Sequence, residues 1–312
     1  MNDTRHELVK ETATRRLRAT PDRLECPFTV LASPGWRGIE ADLLVAEAGG
    51  RTEIYKHYHP DVAFYVDAAA ALDAARIAGE LGVGPRVLEA WPEEGLMAME
   101  HLGEGWRAGG LHDASPAATR HAAIAAKKTL HAGPRFAADK DIFAEIRRFA
   151  AACGPDNAAP PRHLAAWMGF VDRAEAAIAA VGRDSVPSHR DGSCANWMIG
   201  ADGAFRLVDY DLSGNADPFE DIGCHLMEAH DREAEAREGF EEWTGAFREG
   251  EFQRAMVYGI LDDLRWGLIA TVLARMSARR SLEYAKYASW RFMRFEDHSQ
   301  SSVAADRLRK LA

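Results

Sequence analysis

Residues 188–223 read SHRDGSCANWMIGADGAFRLVDYDLSGNADPFEDIG. Asp191 is followed five residues later by Asn196, and Asp209 comes further along the same segment. Between them two apolar runs flank Ala201-Asp202-Gly203, the pattern of a tight hairpin that ends near Asp209. Such a set suits phosphoryl transfer. That reaction needs a carboxylate beside the attacking hydroxyl and oxygen ligands for magnesium on the far side. A short loop can present Asp191 toward an acceptor while Asn196, facing the same space, reaches a metal. The hairpin brings Asp209 back to share that metal. An isolated aspartate at a strand end is usually a turn or cap residue. Three such groups on one loop–hairpin pattern are not explained in that way.

The elements that must position these groups follow from periodicity and turn signals. The first third reads mostly as strand. PFTVLA is a short apolar run, followed by the turn cluster SPGWRG. DLLVAEA and RTEIYKHYH flank Gly49-Gly50 and predict a hairpin. Ala68 to Leu81 predicts a helix stopped at Gly82, and RVLEAW and GLMAMEHL around Pro92 predict a second hairpin. From about Ser115 onward the spacing is helical. The helices fall at Ala117–His131, Asp141–Ala152, Arg162–Val181, Asp217–Ala229, Asp231–Phe247, Phe252–Arg275 and Ser281–Glu296. The Gly-rich HLGEGWRAGGLHD reads as a hinge between a β-rich piece, 1–101, and a mainly helical piece, 102–312. The charge pattern of the first twenty or so residues fits a docking helix and a frayed tail equally well.

Composition removes other classes. The chain has 312 residues, 47% of them apolar, enough for two compact domains. Lysine and arginine total 38 against 48 acids, a net charge of −10, which argues against a nucleic-acid partner. No apolar stretch approaches membrane-helix length, and the charged start lacks a secretory core, so a cytoplasmic location is expected. Four scattered cysteines form no CxxC pair. Cys194 reads as a small space-filling side chain rather than a nucleophile. His131 reads as a helix-end histidine favoured by the dipole. REAEAREGFEEW reads as a solvated helix face.

HRDGSCAN with VDYD resembles the kinase-like phosphotransferases. The run DPFEDIG resembles the D-P-x-x-D segment of choline kinases and aminoglycoside phosphotransferases. DIGCHLMEA and the tail DDLRWGLIATVLARM…LEYAKYASWRFMRF look closest to the choline/ethanolamine branch. The second motif is DYD rather than DFG, and no APE-like segment follows. The resemblance implies an α+β fold of two lobes, a small β-rich N-terminal lobe and a larger helical one, with ATP and Mg2+ as cofactors. Asp191 is then the base or hydroxyl-orienting group, Asn196 and Asp209 are magnesium ligands, His189 positions the loop, and Asp221 tethers it. Lys56 stands where the family places a strand lysine for the α/β-phosphates. Asp73 stands near the helix acid that pairs that lysine, where glutamate is usual. Ser33, Gly35 and Arg37 stand in the phosphate-covering loop, which departs from the commoner Asn-ending form. Glu100-His101-Leu102 fits the backbone linker to adenine.

For the acceptor, the resemblance points to the aromatic tail. Trp266 and Trp290 are candidate faces for a cation, with Tyr210, Asp211 and Asp263 beside them. Asp211 also counts as a second acid near the metal. A second tryptophan is common three residues after the first in the family pattern, and here that place is Ile269. The reading is therefore transfer of the γ-phosphoryl group of ATP to the hydroxyl of a small molecule, of the choline/ethanolamine amino-alcohol type. Aminoglycosides and thiamine-like metabolites are alternative acceptors. A degenerate module that binds nucleotide or metabolite without turnover is the alternative of another class.

Overall fold

The computed structural model describes residues 2–27, 39–153, 163–299 and 302–311. In chain order its main elements begin with α1 (Asn2–Leu17), β1 (Arg23–Glu25), β2 (Ala41–Ala48), β3 (Arg51–Tyr58), α2 (Ala68–Glu80), β4 (Val87–Trp91), β5 (Leu96–Glu100) and β6 (Trp106–Ala108). Next come α3 (Ala117–His131), α4 (Ile142–Ala152), α5 (Leu164–Val181), β7 (Val186–Ser188), β8 (Trp197–Gly200), β9 (Phe205–Leu207) and β10 (Gly214–Ala216). The chain finishes with α6 (Pro218–Ala229), α7 (Glu233–Thr244), α8 (Glu249–Met276), α9 (Tyr284–Ser299) and α10 (Ser302–Arg309). These divide into two compact units. One is Met1–Gly109 with Ala195–Leu212, and the other is Gly110–Cys194 with Ser213–Ala312. A linear boundary at residue 101 would leave 195–212 with the helical piece. The contacts place it in the first unit because β6, inside the Gly-rich segment read as a hinge, pairs antiparallel with β8.

The first unit is built on an antiparallel sheet in the order β1-β2-β3-β5-β4, with β3 at its centre. Both expected hairpins are present, β2–β3 around Gly49-Gly50 and β4–β5 around Pro92–Glu94. Side chains alternate between the two faces of a strand. Leu44, Ala46, Ala48, Tyr55, Leu96 and Ala98 point to one face, where Val9, Ala13 and Leu17 of α1 cover them. That four-residue spacing is one stripe of a helix, so α1 is a docked helix. Arg5 secures it, its guanidinium donating to Asp42 and to the carbonyls of His57 and Tyr58. The other set, Leu43, Val45, Ile54, Lys56, Met97 and Met99, lines a cavity. The expected strand PFTVLA begins at Pro27 and otherwise lies outside the described residues.

The second unit is helical around α8, which packs against α4, α6 and α9. Most of α8 is buried, including the polar Gln253, Arg254, Asp262, Asp263 and Arg265 among its apolar residues. The crossing of α6 with α8 depends on two glycines. A Cβ at Gly223 would lie 2.0 Å from the Ala255 carbonyl oxygen, and one at Gly259 would lie 2.7 Å from that of Gly223. Asp217 caps α6 by accepting from the Phe219 amide at 3.1 Å, and Arg254 and Tyr258 of α8 hold its other oxygen. Asp141 likewise caps α4. Among the described residues no helix is long and apolar enough to cross a membrane.

Candidate functional site

In the first unit the cavity measures about 380 Å³ and has an apolar body with a polar end. Lys56, Asn196, Asp209, Tyr210 and Glu40 line it, together with Glu100, His101, Leu102 and Gly103. Pairing of β5 with β3 stops at Glu100, so the backbone of the next residues leaves the sheet at the cavity wall. Glu100 itself accepts from the Arg86 amide at 2.8 Å.

Lys56 is no solvated edge charge, because it sits on the central strand and is only 7% exposed. Its ammonium donates to Asp209 Oδ1 and to Asp211 Oδ1, each at 2.5 Å. Burial alone would lower the Lys56 pKa, but the two carboxylates hold it well above the usual lysine value. Asp209 does not close the strand as expected. β9 ends at Leu207, and Asp209 stands beyond it with φ of 70°, a left-handed conformation costly for a residue with a Cβ. This turn aims Asp209 back toward Lys56.

Asp211 is pushed up to about 7 by burial and then by the Asp209 charge, against the pull of Lys56. Glu40 is raised well above the carboxylate range by burial and by Asp209 and Asp211. One oxygen from each of Glu40, Asp209 and Asp211 lies within 4.8 Å of the others. Asp211 Oδ2 is buried and makes no hydrogen bond. Clustered hard oxygens with an orphaned carboxylate atom suit a divalent cation such as magnesium. Glu40 and Tyr58, whose hydroxyl donates to Asp211 Oδ1 at 2.5 Å, were not singled out from sequence. The available signal for Glu40 was an acid opening an apolar strand.

Asp73 does not pair Lys56. The lysine is held by Asp209 and Asp211, while Asp73 takes the Arg76 guanidinium of its own helix at 2.8 Å. Tyr210 is also spent inside this unit, its hydroxyl donating to the Leu207 carbonyl at 3.2 Å. Ser33, Gly35 and Arg37 lie outside the described residues.

In the second unit the loop after β7 carries His189, Arg190 and Asp191. The Asp221 carboxylate accepts from the amides of His189 and Arg190 at 3.0 and 3.1 Å, which is the tether expected of it. Lys127, buried on α3, donates to Asp221 Oδ1 at 2.6 Å and to the Asp191 carbonyl at 2.8 Å. His131 has a role beyond the helix dipole, with Nε2 3.0 Å from Asp221 Oδ2. Burial would raise the Asp221 pKa, but Lys127 and His131 hold it well below the carboxylate range. His189 is buried, and its Nδ1 lies 3.2 Å from the Asp191 carbonyl.

Arg190 has φ of 64° and is fully buried. It pairs with Glu145 and Glu220, each at 2.7 Å, and Arg265 donates to its carbonyl at 2.9 Å. Asp191 itself is half-buried, with Oδ1 accepting from the Ser193 amide at 2.7 Å. Cys194 is pushed up to about 12 by burial and neighbouring acids, which leaves it an inert thiol.

The aromatic tail is also in the second unit. Trp266 and Tyr287 meet edge to face with centroids 6.4 Å apart, and Trp290 lies 5.8 Å from Tyr287. Arg291 lies over both Tyr287 and Trp290, and Arg294 over Trp290. Asp263 is buried and accepts from Arg291 at 2.8 Å, while Glu228 accepts from Arg291 and Arg294. The protein's own guanidiniums thus engage Asp263 and Trp290, both expected to meet an acceptor, and the neighbouring Tyr287.

Residues 36–257 match the profile of the phosphotransferase enzyme family (APH). The chain belongs to that family. As a member it is a phosphotransferase acting on small molecules. No curated protein matches the sequence. Among solved structures the fold is similar to a choline/ethanolamine kinase family protein from Mesorhizobium loti, with a TM-score of 0.78 at 21% identity, covering 96% of this chain and 98% of that one. It is similar to the choline kinase LicA from Streptococcus pneumoniae, with a TM-score of 0.76 at 16% identity over 97% and 98%. It is more distantly similar to spectinomycin phosphotransferase APH(9)-Ia in complex with ADP and spectinomycin, with a TM-score of 0.55 at 12% identity over 97% of each. These likenesses establish the kinase-like α+β fold.

Proposed function

We propose that this phosphotransferase moves the γ-phosphoryl group of ATP, with Mg2+, to the hydroxyl of a small amino alcohol of the choline/ethanolamine type. The observation that carries the reading is Lys56 paired with Asp209 at the polar end of an apolar cavity. An apolar body beside a lysine and a metal-binding carboxylate is what a purine with a triphosphate needs. The 100–103 backbone would hold the adenine, and Lys56 would hold the α/β-phosphates. Asn196 and Asp209 would hold magnesium, whose charge would neutralise the phosphates.

Asp191 orients the acceptor hydroxyl and takes its proton. The acceptor oxygen bonds to the γ-phosphorus as the bond to the bridging oxygen breaks, which releases ADP. Lys127, Asp221, His189 and Arg265 keep the Asp191 backbone in place, so catalysis is mostly positioning. The acceptor class is supported by the fold's likeness to proteins described as choline kinases.

The test is magnesium-dependent ADP release across amino alcohols and aminoglycosides. Strong stimulation by one amino alcohol is expected, with kcat falling about 10²-fold or more in Asp191→Asn. Unchanged turnover in that variant would sink the mechanism. Stimulation by aminoglycosides alone would overturn the acceptor class.

A further inference from the structure

We propose that Glu145 of α4 is a positioning residue for the reaction, holding Asp191 in line through Arg190 and Arg265. The inference rests on the reading above of Asp191 as the group that orients the acceptor hydroxyl. Glu145 lies outside the catalytic segment, 45 residues before Arg190. It follows Ile142 by three residues and precedes Phe149 by four, and both of those are buried. It therefore shares the helix face turned to the core. An acid there needs cationic partners, and Glu145 has two. Its carboxylate forks across Arg190, accepting from Nη1 at 3.2 Å and from Nη2 at 2.7 Å. It also accepts from Arg265 Nη1 at 3.3 Å. Arg265 Nη2 in turn donates to the Arg190 carbonyl at 2.9 Å. The Arg190 amide donates to Asp221 at 3.1 Å. Side chain, carbonyl and amide of this one residue are all held, the first by Glu145 directly and the second through Arg265.

Arg190 requires that grip. Its φ of 64° is left-handed, a conformation that a residue with a Cβ keeps only under restraint. Asp191 is the next residue, so a turn of the released Arg190 backbone carries the Asp191 carboxylate off line. Glu220 meets the same guanidiniums, accepting from Arg190 Nε at 2.8 Å and from Arg265 Nη1 at 3.2 Å. Burial pushes Glu220 up to about 7 against the pull of both arginines. Burial would raise Glu145 too, but Arg190 and Arg265 bring it down to about 2. Glu145 is thus the acid that stays charged across the neutral range.

The experiment follows ADP release by the full chain from ATP and Mg2+, with choline, with ethanolamine, and with water alone as acceptor. Glu145→Gln should lower kcat about tenfold or more and leave the KM for ATP unchanged. Glu145→Asp keeps the charge on a shorter stem and should recover part of the loss. Arg307→Met is the control. It breaks another buried ion pair, with Glu233, and should lower the melting temperature while kcat stays within about twofold. Thermal melting shows which variants are folded at the assay temperature. Where Glu145→Gln is not, Glu145→Asp supplies the comparison, again with a lowered kcat at unchanged KM for ATP. Wild-type kcat in a folded Glu145→Gln overturns the inference. So does an equal fall in kcat in Arg307→Met at an equal loss of melting temperature, because the pair would then only stabilise the fold. Loss of turnover in Asp191→Asn with none in Glu145→Gln removes this inference alone. Unchanged turnover in both removes the reading of Asp191 and this inference with it.

Discussion

Lys127 Nζ lies 2.6 Å from Asp221 Oδ1, and neither side chain is open to water. The same ammonium reaches the carbonyl of Asp191, and the same carboxylate receives the amides of His189 and Arg190. One buried ion pair therefore joins α3, α6 and the loop that carries Asp191.

Removing the ammonium strands a buried carboxylate. Lys127→Met should destabilise the protein by about 3–5 kcal/mol, the usual cost of breaking a buried pair. His131 remains beside Asp221 and places the loss toward the lower end. Urea denaturation reads this, and a loss under about 1 kcal/mol would show that the pair does not hold the loop.

The same pair makes the protein acid-sensitive. Asp221 is held well below its ordinary value by Lys127 and His131, with His189 adding to them. A depressed carboxylate stabilises the fold above its unfolded pKa, about 4, and loses that contribution as pH falls toward the folded value. The stability gap between wild type and Asp221→Asn should be full above about pH 5 and should narrow below about pH 4. Urea midpoints from about pH 2.5 to 6 check this window. A gap independent of pH would contradict it.

Gly192 follows Asp191 directly and is pressed against α6. An added Cβ would lie 1.9 Å from the Cys224 carbonyl oxygen, an atom of helix backbone that cannot swing aside. Gly192→Ala should shift Asp191 and lower kcat about 10²-fold, more than any fall in melting temperature explains. ADP release and thermal melting on the same preparation test it. Wild-type kcat in the alanine variant would show that the loop is not pinned there.

The sequence by itself determined the local elements and the reactive groups. Both sheet hairpins, α3 from Ala117 to His131, and the caps of α4 and α6 follow from turn residues and apolar spacing within a few neighbours. HRDGSCAN and VDYD were legible because residue type and spacing along the chain carry that signal. Three-dimensional neighbours were not legible. Whether Lys56 meets Asp73 or Asp211 depends on which strand face meets which loop, and Asp211 is 155 residues away in the chain. Glu40 and Lys127 gain meaning only from partners brought close by folding. Segment 195–212 belongs to the first unit because β6, three residues in a Gly-rich stretch, pairs with β8. Arg291 and Arg294 over the aromatic tail are a packing outcome that residue types alone leave open. Local propensity acts over a few residues, while burial and charge pairing are settled only when distant segments share one low-dielectric interior.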